Sequence, residues 1–371
     1  NFRDVNQNRR CDTFFAPFVG RENIKTFYSL IQLDGYNPLG VEKLTYQVAE
    51  EKAESLLALH ENLFTTEQEK QKFCEYIKKP FTPGALCRKL EELCGEQETE
   101  TLFSQIIDQA DGLVNGNFLE GYWSDHWDYN MDLVDNYLSI FPDKLDELVF
   151  KDNTYKFYDS VAYVVPRSEK YVINKKGAVR QYGMEVEDEA KLARPGFNKW
   201  ATNWLKTPDE KIYNTTLAVK MITLALSKFA QLDVDGMGVE MEGGKPGWND
   251  AMNGLPGLFG SGTPETFELK RLIKFITDNF NGSETVVMPA EIAKYLDDVK
   301  AVLDKYNNGQ VSDFEYWDEV ATIRENYRES VKLYLSGEET EVSKDYINEV
   351  FSAFAAKIDK GIEKAVEMGN G

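Results

Sequence analysis

The stretch Thr215–Leu232 restricts the fold more than any other part of the chain. Leu217, Ala218, Met221, Leu224, Ala225 and Phe229 make it strongly apolar. A helix of that kind has to be inner and covered by other elements. Much of the remaining chain reads as material to cover it. Apolar residues recur at helical spacing in Glu22–Leu33 (Ile24, Phe27, Tyr28, Ile31), Val41–His60, Thr65–Lys78, Pro83–Cys94, Gln97–Ala110 and Met131–Ile140. The same holds for Pro142–Leu148, Glu185–Leu192, Glu265–Phe280, Pro289–Tyr306, Val311–Leu335 and Val342–Met368. The count is about eleven or twelve helices, mostly of roughly 12 to 25 residues by their apolar period. Amphipathic helices need partners on their apolar faces. The fold expected is therefore all-α. An (α/α)6 toroid, with long loops gathered at one end around a pit, satisfies the pattern; a plain bundle or solenoid shows similar periodicity. Residues 151–183 differ. Val161–Val165 and Tyr171–Ile173, with a turn at Asn174–Gly177, predict short strands. The chain thus reads as one domain, 1–371, with a small β-rich insertion at 151–183.

Composition limits the partners. The net charge of −21 argues against nucleic acid and anionic membrane surfaces, both of which need a basic footprint. Any phosphate site has to be built locally. The four cysteines, Cys11, Cys74, Cys87 and Cys94, show no C-x-x-C spacing, and the chain has two histidines. No zinc site and no other cofactor is expected. The cysteines read as free thiols of a reducing, cytoplasmic compartment, with one bridge left open. No run of 18 apolar residues suggests a membrane span, and no signal peptide is recognised. The first residue is Asn1, so the chain reads as a possible fragment, with a homodimer or association with further domains left open.

Three loops carry chemistry. Residues 236–262 are rich in glycine and hold Glu240, Glu242, Trp248, Asn249, Asp250 and Asn253; Thr263 is read as the cap of the next helix. Asp111–Tyr129 holds Trp123, Asp125, His126, Trp127 and Asp128. Residues 1–20 hold Arg3, Asp4, Asn8, Arg9 and Arg10. Acids, amides and indoles on loops suit sugar binding, since indoles stack on sugar faces and polar groups bond hydroxyls. Trp123 and Trp127 are equally readable as core, Arg9 and Arg10 as a solvated pair, and Asp250 as a turn cap.

Two motifs bear a resemblance. Phe2-Arg3-Asp4-Val5-Asn6-Gln7 resembles the F-R-D-x-N-Q-D segment of the cellobiose phosphorylases, glycoside hydrolase family 94, and Trp248-Asn249-Asp250-Ala251-Met252-Asn253 resembles their D-W-N-D-x-L-N segment. Glu265-Thr266 matches the Glu-Ser that opens the following helix. The Asp that ends the first motif is Asn8 here, and the Asp before the indole is Gly247. The family's β-sandwich and its later His-containing phosphate segment have no counterpart. The chain resembles the helical catalytic domain of a divergent phosphorylase, nearer the oligo-β-glucan phosphorylases than cellobiose phosphorylase itself. The resemblance implies an inverting phosphorylase with Asp250 as general acid and Arg3 at the sugar and phosphate site. Its substrates would be an oligosaccharide and inorganic phosphate. Asp4, Asn8, Trp123, Asp125, Trp127, Asp128, Glu242, Trp248, Asn249 and Asn253 are the remaining candidates for sugar contact. Arg9, Arg10, His126 and the N–H groups around Gly260–Thr263 are candidates for phosphate. Two alternatives stand. An inverting hydrolase would use the same acid with a base among Asp125, Asp128, Glu240 or Glu242. A non-catalytic carbohydrate-binding helical domain would use neither.

Overall fold

A computed structural model describes residues 1–60, 63–93, 96–181, 184–245 and 260–369. The protein is mostly helical, and its strands form short two-stranded pairs among the described residues. The chain, read above as one domain, divides into two compact units: Val41–Gly116, and Asn1–Gly40 together with Asn117–Gly371.

In the smaller unit, helices Glu50–Ala58, Glu67–Ile77, Pro83–Glu91 and Glu96–Gln109 enclose a core that includes Ala53, Leu57, Ile77, Leu86, Leu90 and Ile106. Thr66 and Thr82 cap two of them, each side chain accepting from a backbone N–H three residues on. The helix expected over Val41–His60 begins later. Thr45–Val48 is a strand antiparallel to Ala110–Leu113, with Thr45 opposite Leu113. Thr, Tyr and Val favour such a half-buried ladder, and Leu44 just before it is exposed. Cys11, Cys74 and Cys87 are free thiols; Cys94 lies outside the described residues.

The larger unit is built on Leu217–Phe229, in which every residue is buried. Thr216 caps it by accepting from the Val219 N–H. It packs against Glu22–Ser29 and Thr263–Asn279. Thr263–Asn279 in turn packs on Lys344–Met368, and Ala290–Asn307 packs on Asp313–Val331. Phe229 stacks on Phe354 with ring centroids 3.8 Å apart.

Several expected elements are divided or moved. Residues 1–20, expected as a loop, contain the helix Phe2–Arg9, because the Asn1 side chain accepts from the Asp4 N–H and Phe2 is fully buried. Glu185–Leu192 splits into a strand, Glu185–Glu187, paired with Ala162–Val164, and a one-turn helix, Glu189–Leu192, capped by Asp188. The last helix starts at Lys344 rather than Val342, since Glu339–Ser343 pairs with Thr285–Pro289 and Ser343 is its cap. Pro142–Leu148 is replaced by two short turns, Pro142–Lys144 and Glu147–Lys151. Tyr171–Ile173 and Val179–Gln181 form the hairpin expected around Asn174–Gly177. No helix is long and apolar enough to cross a membrane among the described residues.

Candidate functional site

Three segments distant in sequence meet around Tyr122–Tyr129. The strand Tyr122–Trp123 runs parallel to Gly244–Lys245, with Trp123 opposite Lys245. Gly243 is required just before that pairing, because a Cβ there would lie 2.9 Å from the Tyr122 carbonyl oxygen. Val239–Glu240 pairs antiparallel with Ser261–Gly262, and the Met241 N–H donates to the Gly260 carbonyl. Both flanks of segment 246–259 are therefore anchored, one beside Trp123 and one beside the start of helix Thr263–Asn279. Trp248, Asn249, Asp250 and Asn253 lie in that segment and outside the described residues.

The first helix reaches the same place. Phe2 packs edge-on against Phe27, and the buried Asn6 amide donates to Asn130 at 2.6 Å. This fixes Arg3, whose Nε lies 3.5 Å from Asp125 Oδ2 and whose guanidinium lies over the Tyr129 ring. His126 is 1 % exposed and stacked parallel to both Trp123 and Phe2. Neither ring nitrogen has a hydrogen-bond partner among the described residues. Burial, then the positive charges of Arg3 and Lys228, hold its pKa down to about 3, so the imidazole is neutral.

Acids complete the cluster. Asp128 is half-buried as a residue, but its Oδ1 is shielded and unpartnered among the described residues. Burial, and then the carboxyls of Glu265 and Asp125, push its pKa well above the carboxylate range. Glu265 is buried in the first turn of Thr263–Asn279, 3.5 Å from the Ser124 hydroxyl, and burial raises its pKa as well. The residue before that helix is Gly262, not a Thr263 cap: a Cβ at Gly262 would collide with the Glu265 carboxyl. The Glu265 carboxyl also occupies the helix start proposed above for phosphate. The cluster thus sets two carboxyls whose burial favours the protonated form, Asp128 and Glu265, beside an Arg–Asp ion pair.

Other candidates are committed elsewhere. Trp127 is 2 % exposed and its indole N–H donates to the Ser124 carbonyl, so it has no open face for a sugar. Arg9 is exposed and pairs with Asp12. Arg10 pairs with Asp132 at 3.3 Å and lies, like Arg3, over the Tyr129 ring. Asn8 is exposed, and the half-exposed Asp4 lies 3.7 Å from Arg3. Glu242 is locked into a buried ion network, 2.5 Å from Arg328 and 3.2 Å from Arg324, and accepts from the Tyr36 hydroxyl. Burial works to raise its pKa, but the two guanidiniums outweigh that and hold it well below the usual range. Glu240 accepts from the Trp317 indole at 2.7 Å; burial raises its pKa to about 7 despite Arg324. No group of three or more His, Cys, Asp or Glu suited to a metal ion occurs among the described residues.

One charged group between these two clusters was not singled out from the sequence. Lys228, fully buried on the central helix, lies over the Tyr36 ring at 4.4 Å and bonds Gln231. Burial lowers its pKa to about 8, against the pull of Asp34, Glu242 and Asp128. The signal was available: Lys220 and Lys228 are the cations inside a largely apolar helix. No protein-family model matches the chain, and no curated protein matches it.

Proposed function

We propose that the chain is a carbohydrate-active enzyme that cleaves β-glucosidic bonds of oligosaccharides by phosphorolysis with inversion. In this reading Asp250 gives its proton to the leaving glycosidic oxygen. A phosphate oxygen attacks the anomeric carbon from the opposite face, and glucose 1-phosphate is released. Arg3 and the neutral His126 face the phosphate, while Asp125, Asp128 and Glu265 hold sugar hydroxyls. The (α/α)6 toroid belongs to the same proposal, supported by the pairwise packing of the long helices.

One observation carries the reading. The parallel pairing of Gly244–Lys245 with Tyr122–Trp123 brings the start of segment 246–259 beside the strand that leads into Asp125, the partner of Arg3. The residues just before the second motif are thereby held in the region that the first motif's Arg3 reaches. The test is to incubate the chain with β-glucan oligomers, with and without inorganic phosphate, and assay glucose 1-phosphate. Product is expected only with phosphate, and Asp250→Asn should lower the rate by about 10²–10⁴-fold. Cleavage without phosphate would replace this reading with the inverting hydrolase. Sugar binding that survives Asp250→Asn, with no turnover under either condition, would leave a binding domain.

A further inference from the structure

A cavity of about 360 Å³ opens in the larger unit, between residues 32–34, residues 162–164, the short helix Arg167–Lys170 and the last turns of Asp313–Val331. None of Arg3, Asp125, His126, Asp128 or Glu265 lines it. Its size is at the lower end of small-molecule sites, which run from about 300 to 1,000 Å³. The unpartnered donors next to it, Gln32 Nε2 and Arg328 Nε, are shielded and cannot meet an occupant. The groups on the open wall decide what fits.

That wall has more carboxylates than cations. Its cations are already matched: Lys191 holds Asp159 at 2.6 Å, Arg328 holds Glu242 at 2.5 Å, and Lys332 holds Glu329 at 3.1 Å and Asp188 at 3.4 Å. Glu325 is matched by Arg167 at 2.9 Å. Asp34 and Glu169 are left over, in no ion pair among the described residues. Asp34 is half-buried and Glu169 exposed, so both reach the cavity. Asp34 is also fixed, since its Oδ1 accepts from the Tyr36 N–H at 3.1 Å. Lys228, which Asp34 influences, is fully buried and does not line the cavity. A concave wall with one uncompensated sign of charge concentrates ions of the other sign.

The class of occupant follows. An anion is repelled by Asp34 and Glu169. A neutral hydroxyl bonds them no better than water does and leaves their charge uncompensated. A primary ammonium brings three donors and the missing charge. The wall already holds one such group: the Lys332 ammonium lies over the Tyr163 ring at 4.6 Å, with Glu329 and Asp188 as its carboxylates. Leu33, Val164, Leu205 and Val331 supply apolar surface for a carbon body. We propose that this cavity is a ligand site for a small organic cation, a primary amine with an apolar body, whose ammonium neutralises Asp34 and Glu169. It does not depend on the phosphorylase reading.

The test uses the full chain and three compounds of nearly the same shape. Phenethylamine, phenethyl alcohol and hydrocinnamate carry an ammonium, a hydroxyl and a carboxylate. In calorimetric titration at neutral pH the amine is expected to bind saturably at a single site, roughly tenfold or more tighter than the other two. Asp34→Asn, which keeps an acceptor for the Tyr36 N–H, and Glu169→Gln should each weaken it by about fivefold or more. Glu54→Gln, an equal change of charge on an exposed position of the smaller unit, should leave it unchanged. Glu169→Gln carries the test if Asp34→Asn does not fold. No saturable binding of the amine overturns the proposal, and so does equal binding of the alcohol or the carboxylate. An affinity that Glu169→Gln does not lower, or that Glu54→Gln lowers as much, overturns it too, because that is the general attraction of an acidic chain for cations.

Discussion

Glu242 and Asp128 are both carboxylic acids shielded from water, yet their pKa values move in opposite directions. Glu242 meets Arg324 and Arg328, accepts from Tyr36, and its backbone carbonyl takes the Lys170 ammonium at 2.9 Å. Charge there is matched by charge, and the acid stays ionised. Asp128 is buried beside Glu265 and Asp125, with Lys228 as a weaker counterweight, and its pKa is pushed well above the carboxylate range. The first arrangement is a scaffold under the strand that leads to segment 246–259. In the second, carboxyls outnumber their cations, and this is the kind of imbalance that functional sites retain.

Breaking the matched network should cost most. Glu242→Gln leaves Arg324 and Arg328 buried beside a neutral amide, and a loss of about 3–5 kcal/mol is expected in urea unfolding. The same change at the other cluster, Asp128→Asn, removes no ion pair. Stability should shift by less than about 1 kcal/mol, while oligosaccharide binding weakens. Equal losses for the two variants would erase the distinction between them.

Glu240 sharpens the comparison through pH. Its folded pKa, about 7, lies above the ordinary glutamate value of 4.5. The proton is therefore held more tightly in the folded state, and its contribution to stability is full below pH 4.5 and lost as pH rises through 7. Glu240→Gln should flatten the fall of the melting temperature over that window, and an unchanged slope would count against the assignment. The smallest effect belongs to Arg9→Ala. Arg9 is exposed and its guanidinium pairs with Asp12 at 3.2 Å, so stability should change by less than about 0.5 kcal/mol, with phosphate dependence of turnover unaltered.

The sequence showed the central helix clearly, because an apolar run that long has one physical outcome. The long helices after Thr263 and the hairpin at Asn174–Gly177 were legible for the same reason: local period and turn chemistry agree with the tertiary result. Thr45–Val48 and Glu185–Glu187 were hidden, since each gains its strand from a partner far along the chain. Phe2–Arg9 was hidden by its polar composition; its helix depends on the Asn1 cap and the burial of Phe2. At the candidate site, the residue types around Asp125 and Arg3 were readable and their pairing was not. Trp127 and Glu242 looked like ligand contacts until their neighbours were known. Lys228 gained its interest from what surrounds it, which no local pattern encodes.

The tie between Ser124 and Glu265 spans 141 positions, and the Gly244–Lys245 pairing with Tyr122–Trp123 is of similar reach. Closing loops of that length costs chain entropy before any contact returns it. The packing of Ala290–Asn307 on Asp313–Val331 and the Tyr171–Gln181 hairpin carry no such delay. In refolding, the acidic cluster is therefore a late product: most of the helical signal should return before the surroundings of Trp123 do.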